Sequence, residues 1–194
     1  MWLPRNSRKE IIGARRFRAS KWGENQNMRL EPAADPESAL PAWTGCIWFL
    51  LLCFGGNGVI SLFTIDGMET WYRTLRAPAI MPPKLVFALV WLVLYGLIGV
   101  AGWRLWRRRR QLRGRLALAA WGLQLLLNFA WPILFFALHL IGPALGDVFL
   151  LAAATMATIV LALGVDRPAA LLLVPYLVWV SFAGLLNEAF LRLN

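Results

Sequence analysis

Five long apolar stretches set the limits on what this chain can become. Residues 43–65, 85–103 and 116–138 contain no Asp, Glu, Lys or Arg, and residues 143–164 contain only Asp147, near their start. A fifth stretch covers 168–191 and is free of charge up to Glu188. Each has about the 20 residues that an α-helix needs to cross the hydrocarbon core of a bilayer. Backbone polar groups in lipid must be satisfied internally, and the alternating pattern of a transmembrane barrel is absent. The expectation is an all-α integral membrane protein, a bundle of five transmembrane helices. Composition agrees: 59% of the 194 residues are hydrophobic and 15% charged, against about 45–50% and about 25% in soluble domains. Two cysteines and one histidine exclude a disulfide scaffold and a zinc-finger array.

Punctuation falls between the stretches. Pro82-Pro83 precedes the second and Pro143 opens the fourth, positions where a missing N–H costs nothing. Gly164-Val165-Asp166-Arg167-Pro168 reads as a tight link between the fourth and fifth spans. The linker from Asp66 to Lys84 is the longest, rich in turn formers and aromatics, and is expected to cap the bundle. Residues 1–42 are polar, with four prolines and no apolar period. They read as a basic, disordered tail ahead of a membrane domain over 43–194. The tail has no apolar core of a secretory or twin-arginine signal.

The net charge of +10 is unevenly placed. Eight basic residues lie in the tail, seven between Arg104 and Arg115, and one at Arg167, so five spans put sixteen on one side. The other side holds four: Arg73, Arg76, Lys84 and Arg192. The positive-inside rule then sets the N-terminus in the cytoplasm and the C-terminus outside; a bacterial inner membrane is the expected location, with the outer membrane as the alternative. The run Arg107–Arg110 is read as a topology determinant touching anionic lipid. No nucleic-acid partner is expected.

Conventional catalytic sets are missing. Cys46 and Cys53 stand seven residues apart, about 10 Å of helical rise, too far for a disulfide. His139 has no companion ligand in the sequence, and no metal site is expected. There is no glycine-rich phosphate loop and no Ser/His/Asp set. What remains is aromatic and amide chemistry inside the spans. Gln124, Asn128, Trp131 and Phe135 fall on one helical stripe; so do Tyr176, Trp179, Ala183 and Asn187, and so do Ala88, Trp91, Tyr95 and Gly99. Amides in hydrocarbon face a bundle interior or a cavity. Pro132 also frees the carbonyl of Asn128 from its helical donor. Such amides serve equally as bridges between helices, at about 1 kcal/mol each. Three coincident stripes favour a pocket, shaped for a large, flat, apolar ligand with one or two polar groups.

These residues resemble the TspO/MBR family of translocator and tryptophan-rich sensory proteins over about Trp43 to Asn194. Three segments carry the resemblance: Trp71-Tyr72-Arg73-Thr74-Leu75 through Ala77-Pro78 to Pro82-Pro83, Phe87 and Trp91; then Gln124 to Asn128 with Trp131 and Phe135-Phe136; then Pro175-Tyr176-Leu177, Trp179, Phe182-Ala183, Leu186-Asn187 and Leu193-Asn194. The resemblance implies a five-helix bundle, usually a homodimer, whose pocket opens toward the first linker. Such pockets bind porphyrins such as protoporphyrin IX, as ligands rather than cofactors, and isoquinoline-type drugs. By position, Trp91 and Trp179 match tryptophans involved in light-dependent porphyrin breakdown in some relatives. Trp71, Asn128, Trp131, Phe135, Tyr176, Ala183 and Asn187 match other pocket or near-pocket positions, and Tyr95 joins them from its stripe. Asp147 matches an acid common at the start of the fourth helix.

The chain departs from the family pattern at the lid. Ala77 stands where a lysine is usual and Ile80 where a tryptophan is usual. Glu188 and Ala189 occupy positions where relatives with a proposed sterol motif carry tyrosine, so sterol transport is not expected. The implied function is porphyrin binding, as a sensor or transporter in tetrapyrrole or stress regulation. The alternatives are a light-dependent porphyrin-degrading enzyme and a structural partner-modulating protein, for which Gly142-x-x-x-Gly146 offers a small-residue contact face.

Overall fold

The computed structural model describes residues 43–194; the tail expected over 1–42 lies outside the described residues. Five helices follow in order: α1 Thr44–Glu69, α2 Lys84–Arg107, α3 Leu112–Pro132, α4 Ile141–Leu163 and α5 Arg167–Leu193. All five are long and apolar enough to cross a membrane, and no strand occurs among the described residues. The chain is an all-α, multi-pass integral membrane protein. The helices run a few residues past most of the limits read from hydropathy. α1, for instance, continues to Glu69 and then into a short 3₁₀ turn, Trp71–Thr74.

Local chemistry explains several boundaries. The Asp166 carboxylate accepts the Ala169 N–H at 3.0 Å, and Pro168 follows at the first turn, so α5 starts on a capped and pre-shaped end. At the other extreme, Pro132 cannot donate to Asn128, and the chain widens into a π turn over Ile133–Ala137. The Leu138 N–H closes that turn on the Ile133 carbonyl at 2.9 Å.

α3 packs along α4, α4 along α5, α5 against α2, and α2 against α1; α1 closes the ring on the π turn of α3. The main core includes Ile98, Leu105, Ala117, Trp121, Leu125 and Leu173. Trp121 is wedged there, its indole N–H donating to the Ile98 carbonyl at 3.0 Å. A Cβ on Gly102 would lie 2.4 Å from that indole, so α2 and α3 can close here only over glycine. A second cluster gathers Phe135, Ala144 and Phe190 beneath Trp71, Tyr72, Leu75 and Met81 of the first linker. Trp71 stacks on His139 with ring centres 4.4 Å apart. The linker therefore lies on the bundle.

Two contacts between distant segments set the helix directions. The Arg76 N–H donates to the Asn194 side chain at 2.9 Å, and the Asn194 amide returns a bond to the Arg76 carbonyl at 3.3 Å. At the opposite end Arg104 holds Asp166 through two bonds, 2.8 and 3.3 Å, with Arg108 at 3.6 Å. The first linker and the C-terminus thus share one end, and the end of α2 shares the other with the α4–α5 link. Burial by itself would raise the Asp166 pKa. The Arg104 hydrogen bonds, the Ala169 N–H and the two guanidinium charges outweigh it and hold the carboxyl below the usual carboxylate range.

Candidate functional site: a cavity inside the helix ring

A cavity of about 200 Å³ lies inside the ring. From α2 it takes Phe87, Trp91 and Tyr95; from α3 and its π turn Asn128, Trp131, Pro132 and Phe136; from α4 Val148 and Leu151; from α5 Val180 and Ala183. Its remaining wall is α1, through Asn57, Ile60, Ser61, Thr64 and Met68. Most of this lining is aromatic or aliphatic, which suits an apolar ligand.

Polar groups gather at one part of the wall. The Tyr95 hydroxyl lies 3.0 Å from Asn57 Oδ1 and 2.9 Å from Asn128 Oδ1. It has one proton for two acceptors, so the two amides compete for it. The Asn128 amide in turn donates to the Tyr176 hydroxyl at 2.9 Å. The result is a chain of four side chains from α1, α2, α3 and α5. A second bridge runs from the Trp131 indole N–H to Asn187 Oδ1 at 3.0 Å, and from the Asn187 amide to the Ile141 carbonyl at 2.9 Å. Both bridges are interhelical glue, and Asn128 and Trp131 also face the cavity.

Of the residues singled out from sequence, Trp91, Tyr95, Asn128, Trp131 and Ala183 meet in the cavity wall. Tyr176 and Asn187 are buried behind it as partners of Asn128 and Trp131. Trp179 is adjacent, its ring 5.5 Å from Phe87, with its indole N–H buried and without a hydrogen-bond partner among the described residues. Gln124 is fully buried one turn from Asn128, and neither of its amide atoms has a partner there. Phe135 and Trp71 lie in the second cluster, with ring centres 5.7 Å apart.

The placement of Phe135 has a physical cause. A regular helix would carry the stripe Asn128–Trp131 on to Phe135, but the π turn inserts extra rotation. Phe136 reaches the cavity instead, and Phe135 turns into the cluster under the linker. On α2 the inward position is Phe87, not Ala88, which is exposed; Phe87, Trp91 and Tyr95 keep a spacing of four. The α1 wall was missed altogether. Its signal was present: Asn57, Ser61, Thr64 and Met68 are spaced 4, 3 and 4, like the other stripes. At the lid, Ala77 and Ile80 are both exposed and take no part in the cavity. Cys46 and Cys53 are free thiols.

Fold and cavity define a class: a five-helix membrane protein with an aromatic-lined chamber and a first linker packed on one end of its bundle. Comparison of the sequence with known proteins names that class. Residues 49–193 match the model of the TspO/MBR family, and the chain belongs to that family. It is 37% identical over 152 residues to the translocator protein of Bos taurus, covering 76% of this chain and 88% of that protein. It is 39% identical over 134 residues to the tryptophan-rich protein TspO of Archaeoglobus fulgidus, covering 69% and 86%. With the tryptophan-rich sensory protein of Cereibacter sphaeroides it shares 34% over 153 residues, covering 78% and 92%.

Proposed function

We propose that this protein binds flat, apolar, membrane-dissolved ligands of the porphyrin class in the interior cavity, as a sensor or transporter. One observation carries the reading: Phe87, Trp91, Trp131 and Phe136 enclose a chamber whose few polar side chains are the Asn57–Tyr95–Asn128 cluster and the Ser61 and Thr64 hydroxyls of α1. Aromatic pairs contribute about 0.5–1.5 kcal/mol each beyond buried area, and the amides offer hydrogen bonds to a ligand's polar substituents. Relatives named translocator and sensory protein are consistent with transport or signalling by one pocket. Titration of the purified protein with protoporphyrin IX should quench tryptophan fluorescence saturably, and Trp91→Leu should weaken the affinity. Absence of saturable quenching would overturn the reading.

A second reading is light-dependent breakdown of the bound porphyrin, with the illuminated macrocycle as sensitiser and dissolved oxygen as oxidant. It is supported by Trp91 and Trp179, two oxidisable indoles beside the cavity, whose ring centres lie 6.4 and 5.5 Å from that of Phe87 between them. Loss of the Soret band under light, slowed in the double variant Trp91→Phe/Trp179→Phe, is the expected signature. Unchanged kinetics in that variant reject it. The proposal places the basic end in the cytoplasm of a bacterial inner membrane, with the C-terminus outside; topology reporters fused at Asn194 test this. It includes a homodimer, for which Gly146 offers an open surface where a Cβ would meet nothing within 4 Å. Chemical cross-linking in membranes checks the dimer.

A further inference from the structure

The cavity is small for the ligand class proposed above. Its volume of about 200 Å³ lies below the roughly 300–1,000 Å³ of pockets that hold drug-sized molecules. A tetrapyrrole needs the upper part of that range, so one wall has to move. The walls differ in how firmly they are held. α2, α3 and α5 are tied by the Tyr95–Asn128–Tyr176 bonds, and α1 joins them only at its glycine-rich start, where Asn57 shares the single Tyr95 proton with Asn128. Between Gly58 and Asp66, α1 buries only Thr64. Ser61 and Met68 line the cavity and are themselves exposed, so along this segment no buried layer of side chains seals the cavity.

α1 also carries an unusual sequence at the start of that wall, Gly55-Gly56-Asn57-Gly58. Glycine is the poorest helix former after proline, and three in four residues need a reason. Packing explains one of them: a Cβ on Gly56 would lie 2.5 Å from the Phe129 ring. At Gly55 and Gly58 a Cβ would meet nothing within 4 Å. Immediately beyond, the Ser61 and Thr64 hydroxyls donate back to the Asn57 and Ile60 carbonyls at 2.8 and 3.2 Å, a pattern that bends helices. At the far end Gly67 sits directly on the Phe136 carbonyl, where a Cβ would come within 1.8 Å. The wall is therefore a thin panel between two tight contacts, Gly56 on Phe129 and Gly67 on Phe136.

We propose that residues 57–66 of α1 form a hinged side wall that bows outward at Gly55–Gly58 and admits an amphiphilic, bilayer-dissolved ligand from the lipid rather than through the linker. This rests on ligand binding in the cavity, and the test separates the two. Gly55→Ala/Gly58→Ala stiffens the panel without steric conflict. With the protein in nanodiscs, stopped-flow tryptophan quenching by protoporphyrin IX follows association. Association should slow roughly tenfold, the order set by the glycine-to-alanine difference in helix stability at two positions. The equilibrium affinity should fall by no more than the same factor, because the wall that opens for entry stays displaced around a ligand larger than the closed cavity. Amide hydrogen exchange over 57–66 should slow in the same variant, with or without porphyrin. An unchanged association rate with intact binding overturns the hinged wall and leaves the pocket standing. Absence of saturable quenching in the wild type overturns the pocket itself.

Discussion

α1 and α4 are both strongly apolar, yet they are used in opposite ways. Only three of the 26 residues of α1 are buried, Cys53, Thr64 and Gly67, whereas nine of the 23 residues of α4 are. The buried face of α4 is built from small and polar side chains, Ala144, Ala154, Ala162, Thr155 and Thr158 among them. Their size lets α3 and α5 approach closely. The large side chains of α1, including Trp48, Leu62 and Phe63, point outward. In lipid, hydrophobicity does not drive one helix against another, because tails are as apolar as leucine. Burial goes instead to the helix whose surface permits close contact or offers hydrogen bonds. One half of the ring is thus a packed scaffold and the other a thin wall.

The largest test of this contrast compares glycines. Gly67→Ala forces a Cβ onto the Phe136 carbonyl, at 1.8 Å, and should cost about 3 kcal/mol or prevent folding. Gly58→Ala, in open space, should be neutral to slightly stabilising. Unfolding in a denaturing detergent measures both, and equal losses would break the picture of a thin wall. Next come the two amides that share Tyr95. Asn128→Leu removes the bonds to Tyr95 and Tyr176 and should cost about 1–2 kcal/mol. Asn57→Leu leaves Tyr95 bonded to Asn128 and should cost about 0.5 kcal/mol or less. If Asn57 proves the costlier, α1 is part of the scaffold after all.

A pH-dependent effect belongs to the scaffold's basic end. Asp166 has a folded pKa below its unfolded one, so its contribution is fully present above the usual carboxylate range, about pH 4, and is lost as pH falls through the lowered folded value. Stability measured between pH 7 and pH 3 should fall at the acid end, and Asp166→Asn should flatten that part of the profile. The pair with Arg104 is partly solvated, so the loss should be about 1 kcal/mol.

Much of this was legible in the sequence. Charge-free runs of membrane length specify helices because the backbone has no other partner in lipid. Of the stripes on α3 and α5, Asn128, Trp131 and Ala183 line the cavity, while Tyr176 and Asn187 are buried behind it as hydrogen-bond partners. Legibility stopped at Pro132, where the π turn exchanged Phe135 for Phe136. It also stopped at α1, where Asn57 stands in a glycine-rich run with no aromatic residue on its stripe through Ser61, Thr64 and Met68 to mark an inward face. The partition among the tryptophans was legible only in part. Trp91 and Trp131 line the cavity, Trp179 stands behind it, and Trp71 joins the linker cluster.

By itself, the sequence determined that five helices cross a membrane, where they break and which faces carry amides, since these follow from local composition and helical period. The tertiary structure alone decided which of those faces meet around one cavity, and that Tyr95 joins amides from α1 and α3. It also decided that the wall from α1 is the thin one. Those outcomes depend on how closely neighbouring helices can approach, and that is set by pairs of residues far apart in the chain, such as Gly56 with Phe129 and Gly67 with Phe136.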